Sequence, residues 1–349
     1  MSVIRREATR LAAALAVCLA ASAAAAADQI TFVSQGGSYQ EAQTKAILDP
    51  AAKALGITIK QDSSADAYPV VKTQVATGKI VWDVIDVAAG YCLRGAAEGL
   101  LEKLDLALIP NAKDLDPAFR SDHAVGYITY STVLAWRTDK YGKNGPQTWA
   151  DFWDVKKFPG RRSLRNYARP TLEIALMADG VPADKLYPLD VARAYRKLAE
   201  IKPHITTWWT SGGQSAQLIR DGEVDMIMAW NGRVGAVMKD GAKVDYHYNQ
   251  AVLENTSLCV LKGTPNRVAS MKFLNEAIAP RNQAALPLLI DYGPVNLKAY
   301  DTGIIPAARA AQLPTHPDNF RRQAVLSAAW WASPEGAKAE EGWLAFMQR

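Results

Sequence analysis

Along the chain the spacing of apolar positions switches repeatedly between a period of two and a period near 3.6, the signatures of strand and helix. Residues 28–34 alternate into a short strand, and residues 38–55 place Ala42, Ala46, Ile47 and Ala51 on one helical face. A second strand is predicted at 57–61, a second helix at 68–77 and an apolar third strand at 80–87. Beyond these, 124–137 reads as paired strands, 148–153 as a short capped helix and 170–178 as a helix with Pro170 at its start. Helices at 189–200, 215–221 and 231–239 then alternate with strands at 206–209, 224–229, 244–248 and 257–261. Strands alternating with helices imply a parallel sheet covered on both faces.

Composition changes this picture at the N-terminus. Arg5, Arg6 and Arg10 precede an Ala/Leu-rich run that ends at Ala25-Ala26-Ala27, which reads as an export signal over residues 1–27. A lipoprotein anchor at Cys18 is the rival reading, opposed by Val17 where a small residue is wanted. No later segment offers about 20 uninterrupted apolar residues. Removing the signal takes away three arginines and Glu7, so the formal charge falls from +5 to +3. With charges of both signs interspersed, no footprint for nucleic acid remains. The mature length suggests two domains. Cys92 and Cys259 remain after cleavage; they could pair in an oxidising compartment, but each apolar context favours a buried free thiol.

Candidate chemistry points to binding rather than catalysis. There is no His-Glu-x-x-His, no Gly-x-Ser-x-Gly and no Cys/His cluster with metal spacing. Gly213-Gln214-Ser215-Ala216-Gln217 lacks the final glycine of a nucleophile elbow. Tyr246 and Tyr248 share one face of a predicted strand with His247 on the other, the weak basis for a ferric-iron alternative. No cofactor is implied.

Four segments carry a resemblance. They are Trp82-Asp83-Val84-Ile85-Asp86-Val87 followed by Glu98-Gly99-Leu100-Leu101, Thr148-Trp149-Ala150-Asp151-Phe152-Trp153 followed by Phe158-Pro159-Gly160, Asp221-Gly222-Glu223-Val224-Asp225 with Met228-Ala229-Trp230-Asn231-Gly232, and Asp291-Tyr292-Gly293-Pro294-Val295-Asn296. In this order they resemble the polyamine-binding (spermidine/putrescine) branch of the periplasmic solute-binding proteins of ABC transporters. The resemblance implies an α/β fold of the periplasmic binding protein type II kind, with a ligand cleft between two lobes. Carried onto this chain, lobe 1 spans 28–134 plus 258–302 and lobe 2 spans 135–257 plus 303–349. It further implies a monomeric receptor in the periplasm, delivering a small solute to a membrane permease, or reporting it to a sensor.

The ligand-binding candidates follow from the same motifs. Trp230, Asn231 and one of the adjacent pair Trp208 and Trp209 fall where the family lines its cleft, and Trp208 is chosen with Trp230 as a stacking residue. The acidic positions of polyamine binders are replaced here by Tyr167, Pro170 and Thr256, and a first-strand Trp-Thr pair by Gln35-Gly36. Gly36, Gly37 and Tyr39 lie where a strand gives way to a helix, a place for an anionic group. Arg161, Arg162, Arg165 and Arg169 crowd the approach to a helix, and Arg233 follows the Trp-Asn-Gly turn. Asp86, Glu173 and Glu254 remain as partners for an amine, and Tyr292 joins them from the Tyr-Gly-Pro turn. The solute is therefore expected to be a small amine such as putrescine or spermidine, or else a zwitterion or anion such as an amino acid derivative or aminophosphonate.

Overall fold

The computed structural model describes residues 29–348. The expected export signal, its expected cleavage site and Cys18 lie outside the described residues. None of the described helices is long and apolar enough to cross a membrane.

β1 (Gln29–Ser34) leads into α1 (Gly37–Gln43), a π-helical turn over Thr44–Leu48, and α2 (Asp49–Leu55). The single helix expected at 38–55 is thus interrupted by one wide turn. β2 (Thr58–Ser63), α3 (Tyr68–Thr77), β3 (Val84–Ala88) and α4 (Ala89–Ala97) continue the alternation. β4 (Ala124–Arg137) is one long strand, where the pattern suggested a pair. It is buried at nearly every position, so no alternation or turn residue marks an interior break.

Beyond it come β5 (Arg162–Arg165), α5 (Ala168–Ala178), β6 (Ile205–Trp209), β7 (Met226–Trp230) and α6 (Asn231–Lys239). β8 (Val244–Val260) then joins the two strands read separately at 244–248 and 257–261 into one. A C-terminal helix, α7 (Pro334–Gln348), ends the described chain.

Among the described residues ten strands, two of them short ones off the main path, form one mixed sheet rather than a parallel one, with its main path in the order β2-β1-β3-β8-β4-β7-β5-β6. β1 pairs in parallel with β2 and β3, and β5 in parallel with β6 and β7. The two long strands run antiparallel through the middle, in register from Ala124↔Cys259 to Arg137↔Val244, with irregularities between Gly126 and Ile128 and between Thr132 and Leu134. β3 borders one end of this ladder and β7 the other. Each end packs its own core. Phe32, Tyr127 and Phe273 stack edge to face on one side, whereas Trp136, Trp149, Phe152 and Leu172 fill the other. Trp331 and Trp343, near the C-terminus, join that second core, while Ile305 and Leu313 pack with Ala284 and Ala299.

Cys92 and Cys259 form a disulfide, with Cα atoms 6.3 Å apart and a sequence separation of 167. This corrects the expectation of two free thiols. α4 folds back from β3 over the neighbouring β8, which brings two apolar, distant positions together; an apolar context is the same for a buried thiol and a buried disulfide.

Candidate functional site

The parallel strands on both sides of the long pair end at one cavity of about 240 Å³, small for a ligand site. Gln35 follows β1, Ala88 ends β3, Arg165 ends β5, Thr210 follows β6 and Trp230 ends β7, and all five line it. Residues just past the carboxyl ends of parallel strands are where such folds bind ligands, because the chain turns there and side chains converge.

Aromatic rings form much of the wall. Tyr130 in β4 packs edge-on against Trp230 with ring centres 6.0 Å apart, Tyr292 lies 5.9 Å from Tyr130, and Tyr39 lies 5.4 Å from Tyr292. Opposite them, the hydroxyl of Tyr91 on α4 meets that of Tyr167 in a short hydrogen bond between the two halves. Thr256 of β8 also faces the cavity.

Three guanidinium groups stand among the rings. Arg165 lies over Trp230 at 5.0 Å and over Tyr167 at 4.8 Å, within range of cation–π attraction. Arg169 is 4 % exposed, at a non-helical step in the start of α5, with its charge 5.3 Å from the Tyr91 ring. Its Nε has no hydrogen-bond acceptor, and its nearest carboxylate oxygen, on Glu254, is 3.9 Å away. Burial opposes the Arg169 charge, but Tyr167 and Glu254 more than offset it and hold the guanidinium above its usual range. Arg233 on α6 reaches across to Ser38 Oγ at 3.1 Å and to the Gly36 carbonyl at 3.4 Å. Asp66, exposed ahead of α3, is the acidic side chain on the wall.

Of the residues expected at the site, Gln35, Tyr39, Arg165, Tyr167, Trp230, Thr256 and Tyr292 line this cavity. Others lie elsewhere. Trp208 is turned away, 5.7 Å from Trp343 and 6.4 Å from Phe346, because neighbours in a strand face opposite sides. Its neighbour Trp209 is the one on the cleft side, buried behind Trp230 at 5.4 Å with its indole N–H on the Met228 carbonyl.

Asp86 also sits behind the wall. One of its oxygens accepts hydrogen bonds from Gln43 Nε2 at 2.7 Å, the Tyr39 hydroxyl at 2.8 Å and Ser34 Oγ at 3.0 Å. Burial pushes its carboxyl above the ordinary aspartate range, against the pull of those bonds. It therefore fixes Tyr39 rather than facing the cavity. Glu254 is similarly held beneath the surface, accepting from the Thr132 hydroxyl at 3.0 Å and the Tyr130 hydroxyl at 3.2 Å. Asn231 is fully buried; its side chain accepts from the Ser131 amide at 2.9 Å and donates to the Asp291 carbonyl and the Tyr248 hydroxyl. Gly36 and Gly37 border a shallow hollow on the outer side, reaching the cavity only through Arg233.

Sequence reasoning singled out the arginines as a group without separating Arg169 and Arg233 from Arg161 and Arg162, which bond to nearby backbone carbonyls. It missed Tyr91, Tyr130 and Asp66. Tyr91 lies three residues past the end of β3, in the first turn of α4 and close to a position that the strand-end rule marks; Tyr130 lies mid-strand and carries no such signal. His247 turns towards Trp136, at 5.3 Å, while Tyr246 and Tyr248 lie together on the opposite face, so the three do not converge as metal ligands. Among the described residues no group of three or more His, Cys, Asp and Glu side chains could hold a metal ion.

Two α/β halves enclosing one small cavity define a solute-binding protein. The chain belongs to the family of bacterial extracellular solute-binding proteins, whose model matches residues 46–317, and it is the substrate-binding component of an ABC transporter. It is 35 % identical over 338 residues to a gamma-aminobutyric acid-binding protein of Pseudomonas aeruginosa, covering 95 % of each chain. An ABC transporter substrate-binding protein from Bradyrhizobium japonicum USDA 110 superposes with a TM-score of 0.89 at 63 % identity, over 91 % of this chain and 99 % of that one. The PBP MotA of A. tumefaciens B6, in complex with glucopine, superposes at 0.86 and 39 % identity, over 91 % and 99 %. The spermidine/putrescine-binding periplasmic protein of Escherichia coli is more distant, 24 % identical over 301 residues, 83 % of this chain and 84 % of that one.

Proposed function

We propose that this chain captures a small amino acid derivative, a zwitterion or anion with at least one acid group, and delivers it to a membrane permease. Export over residues 1–27, work in the periplasm as a monomer, and closure of the two halves around an unmodified solute belong to the same reading. Arg169 carries it: a buried guanidinium on the cavity wall, with an unpartnered Nε and a carboxylate no nearer than 3.9 Å. A carboxylate or phosphonate arriving there gains charge-assisted hydrogen bonds away from water. The aromatic wall covers the carbon chain, and Asp66 is placed to meet an ammonium group.

A polyamine fits less well. The side chains that recognise a dication are carboxylates, yet Asp86 and Glu254 lie behind the wall while three arginines stand in it. The names of the relatives, one for gamma-aminobutyric acid and one in complex with glucopine, support the acidic solute. Binding to the folded state alone raises stability, so thermal melts in 4-aminobutyrate, aminophosphonates and putrescine test the reading. The acids are expected to raise the midpoint and Arg169→Gln to abolish the shift. A shift with putrescine and none with any acid overturns it.

A further inference from the structure

One acid group on Arg169 leaves the opposite end of the cavity unexplained. Arg233 is 5 % exposed, and its Nε is buried without an acceptor. Its two contacts, to a serine hydroxyl and to a carbonyl at 3.4 Å, are with uncharged groups. Among the described residues no carboxylate lies within ion-pair distance of it. Removing a guanidinium from water with only neutral partners is costly, and the cost falls when an anion arrives.

Close packing holds this guanidinium in place. A Cβ built on Gly212 would stand within 2.9 Å of Arg233 Nε and of the six-membered edge of Trp230. Gly37, whose φ of 60° favours glycine, keeps the opposing backbone close: a Cβ there would stand 3.2 Å from Arg233 Nη1. The unpartnered Arg233 Nε is thus an N–H donor without a balancing acceptor. Arg169 lies elsewhere on the wall, against Tyr91 and Gly90, so the two guanidinium groups address different parts of one solute.

We propose that the solute carries two separated acid groups, as in an amino acid whose nitrogen bears a carboxyalkyl substituent. One acid sits on Arg169 and the second on Arg233, with Arg165, which lies over both Tyr167 and Trp230, between them. This deepens the reading given above and rests on it.

Calorimetric titration of the mature protein tests it with 4-aminobutyrate, a series of N-carboxyalkyl amino acids of increasing length, and putrescine. At least one diacid is expected to bind tenfold or more tighter than 4-aminobutyrate. Arg233→Gln is expected to cost that diacid at least tenfold more affinity than it costs the monoacid. A monoacid that binds as tightly as every diacid overturns the inference and leaves the reading of an acidic solute standing. Equal losses for both ligands in a normally melting Arg233→Gln variant remove Arg233 as the second anchor and overturn it too. Binding of putrescine with none of the acids sinks the underlying reading itself.

Discussion

Glu173 stands in the apolar core of the second half, fully buried, and one of its oxygens accepts from the Tyr187 hydroxyl at 2.6 Å and the Trp331 indole at 2.7 Å. The other oxygen has no partner. Burial outweighs those bonds and pushes its carboxyl up to about 7. The folded state then holds a proton that the unfolded chain releases near pH 4.5, so this group's stabilisation is full below that pH and is lost as pH rises towards 7. Denaturant unfolding at pH 5 and pH 8 is expected to differ by up to about 3 kcal/mol from this source. Glu173→Gln flattens the slope, and an unchanged slope sinks the assignment. At the wall, Trp230→Ala is expected to weaken solute binding at least tenfold while the chain still folds, read by calorimetry; unchanged affinity returns Trp230 to packing alone. At this scale the sequence marked Trp230, Tyr292 and Arg165, which close motifs or strand ends. It misplaced Asp86, Glu254 and Trp208. Composition says that a carboxylate needs a partner, but not whether a ligand or a neighbouring tyrosine supplies it.

Among the elements, α4 links the cavity to the core most directly. It carries Tyr91 on the wall, and Cys92, one residue on, ties it to β8. Closing a loop of 167 residues restricts the unfolded chain, worth about 5 kcal/mol in the entropy limit. Replacing both cysteines by serine, or adding reductant, is expected to lower the melting temperature. Coincident melts for oxidised and reduced protein overturn that. Periodicity located most of the short elements within a few residues, but α4, β5 and α7 were not among those it marked. It failed on β4 and β8, because a strand buried along its whole length loses the alternation that would reveal its continuity.

Across the whole molecule, a cluster of contacts joins the two halves beside the cavity and is expected to act as a latch on closure. Tyr167 bonds to Tyr91 and also donates to Glu340 on α7 at 3.2 Å, and Arg94 on α4 approaches Glu340 at 3.7 Å. Glu340→Gln combined with Tyr91→Phe is expected to speed solute release and to lower the closed fraction seen by small-angle scattering, with little change in melting temperature. Unaltered release rates count against a latch. The fold class was legible at this scale because many short patterns agree in order, whereas a contact such as Arg94 with Glu340 joins residues that no local pattern relates.

The two central ribbons, each threaded from one half into the other, bear on how the molecule can be dissected. Neither half corresponds to a continuous stretch of gene, so neither can be expressed from a single truncated reading frame. Cleavage in an exposed loop leaves two fragments still interleaved in one sheet, held as a nicked complex that separates only when the whole unfolds.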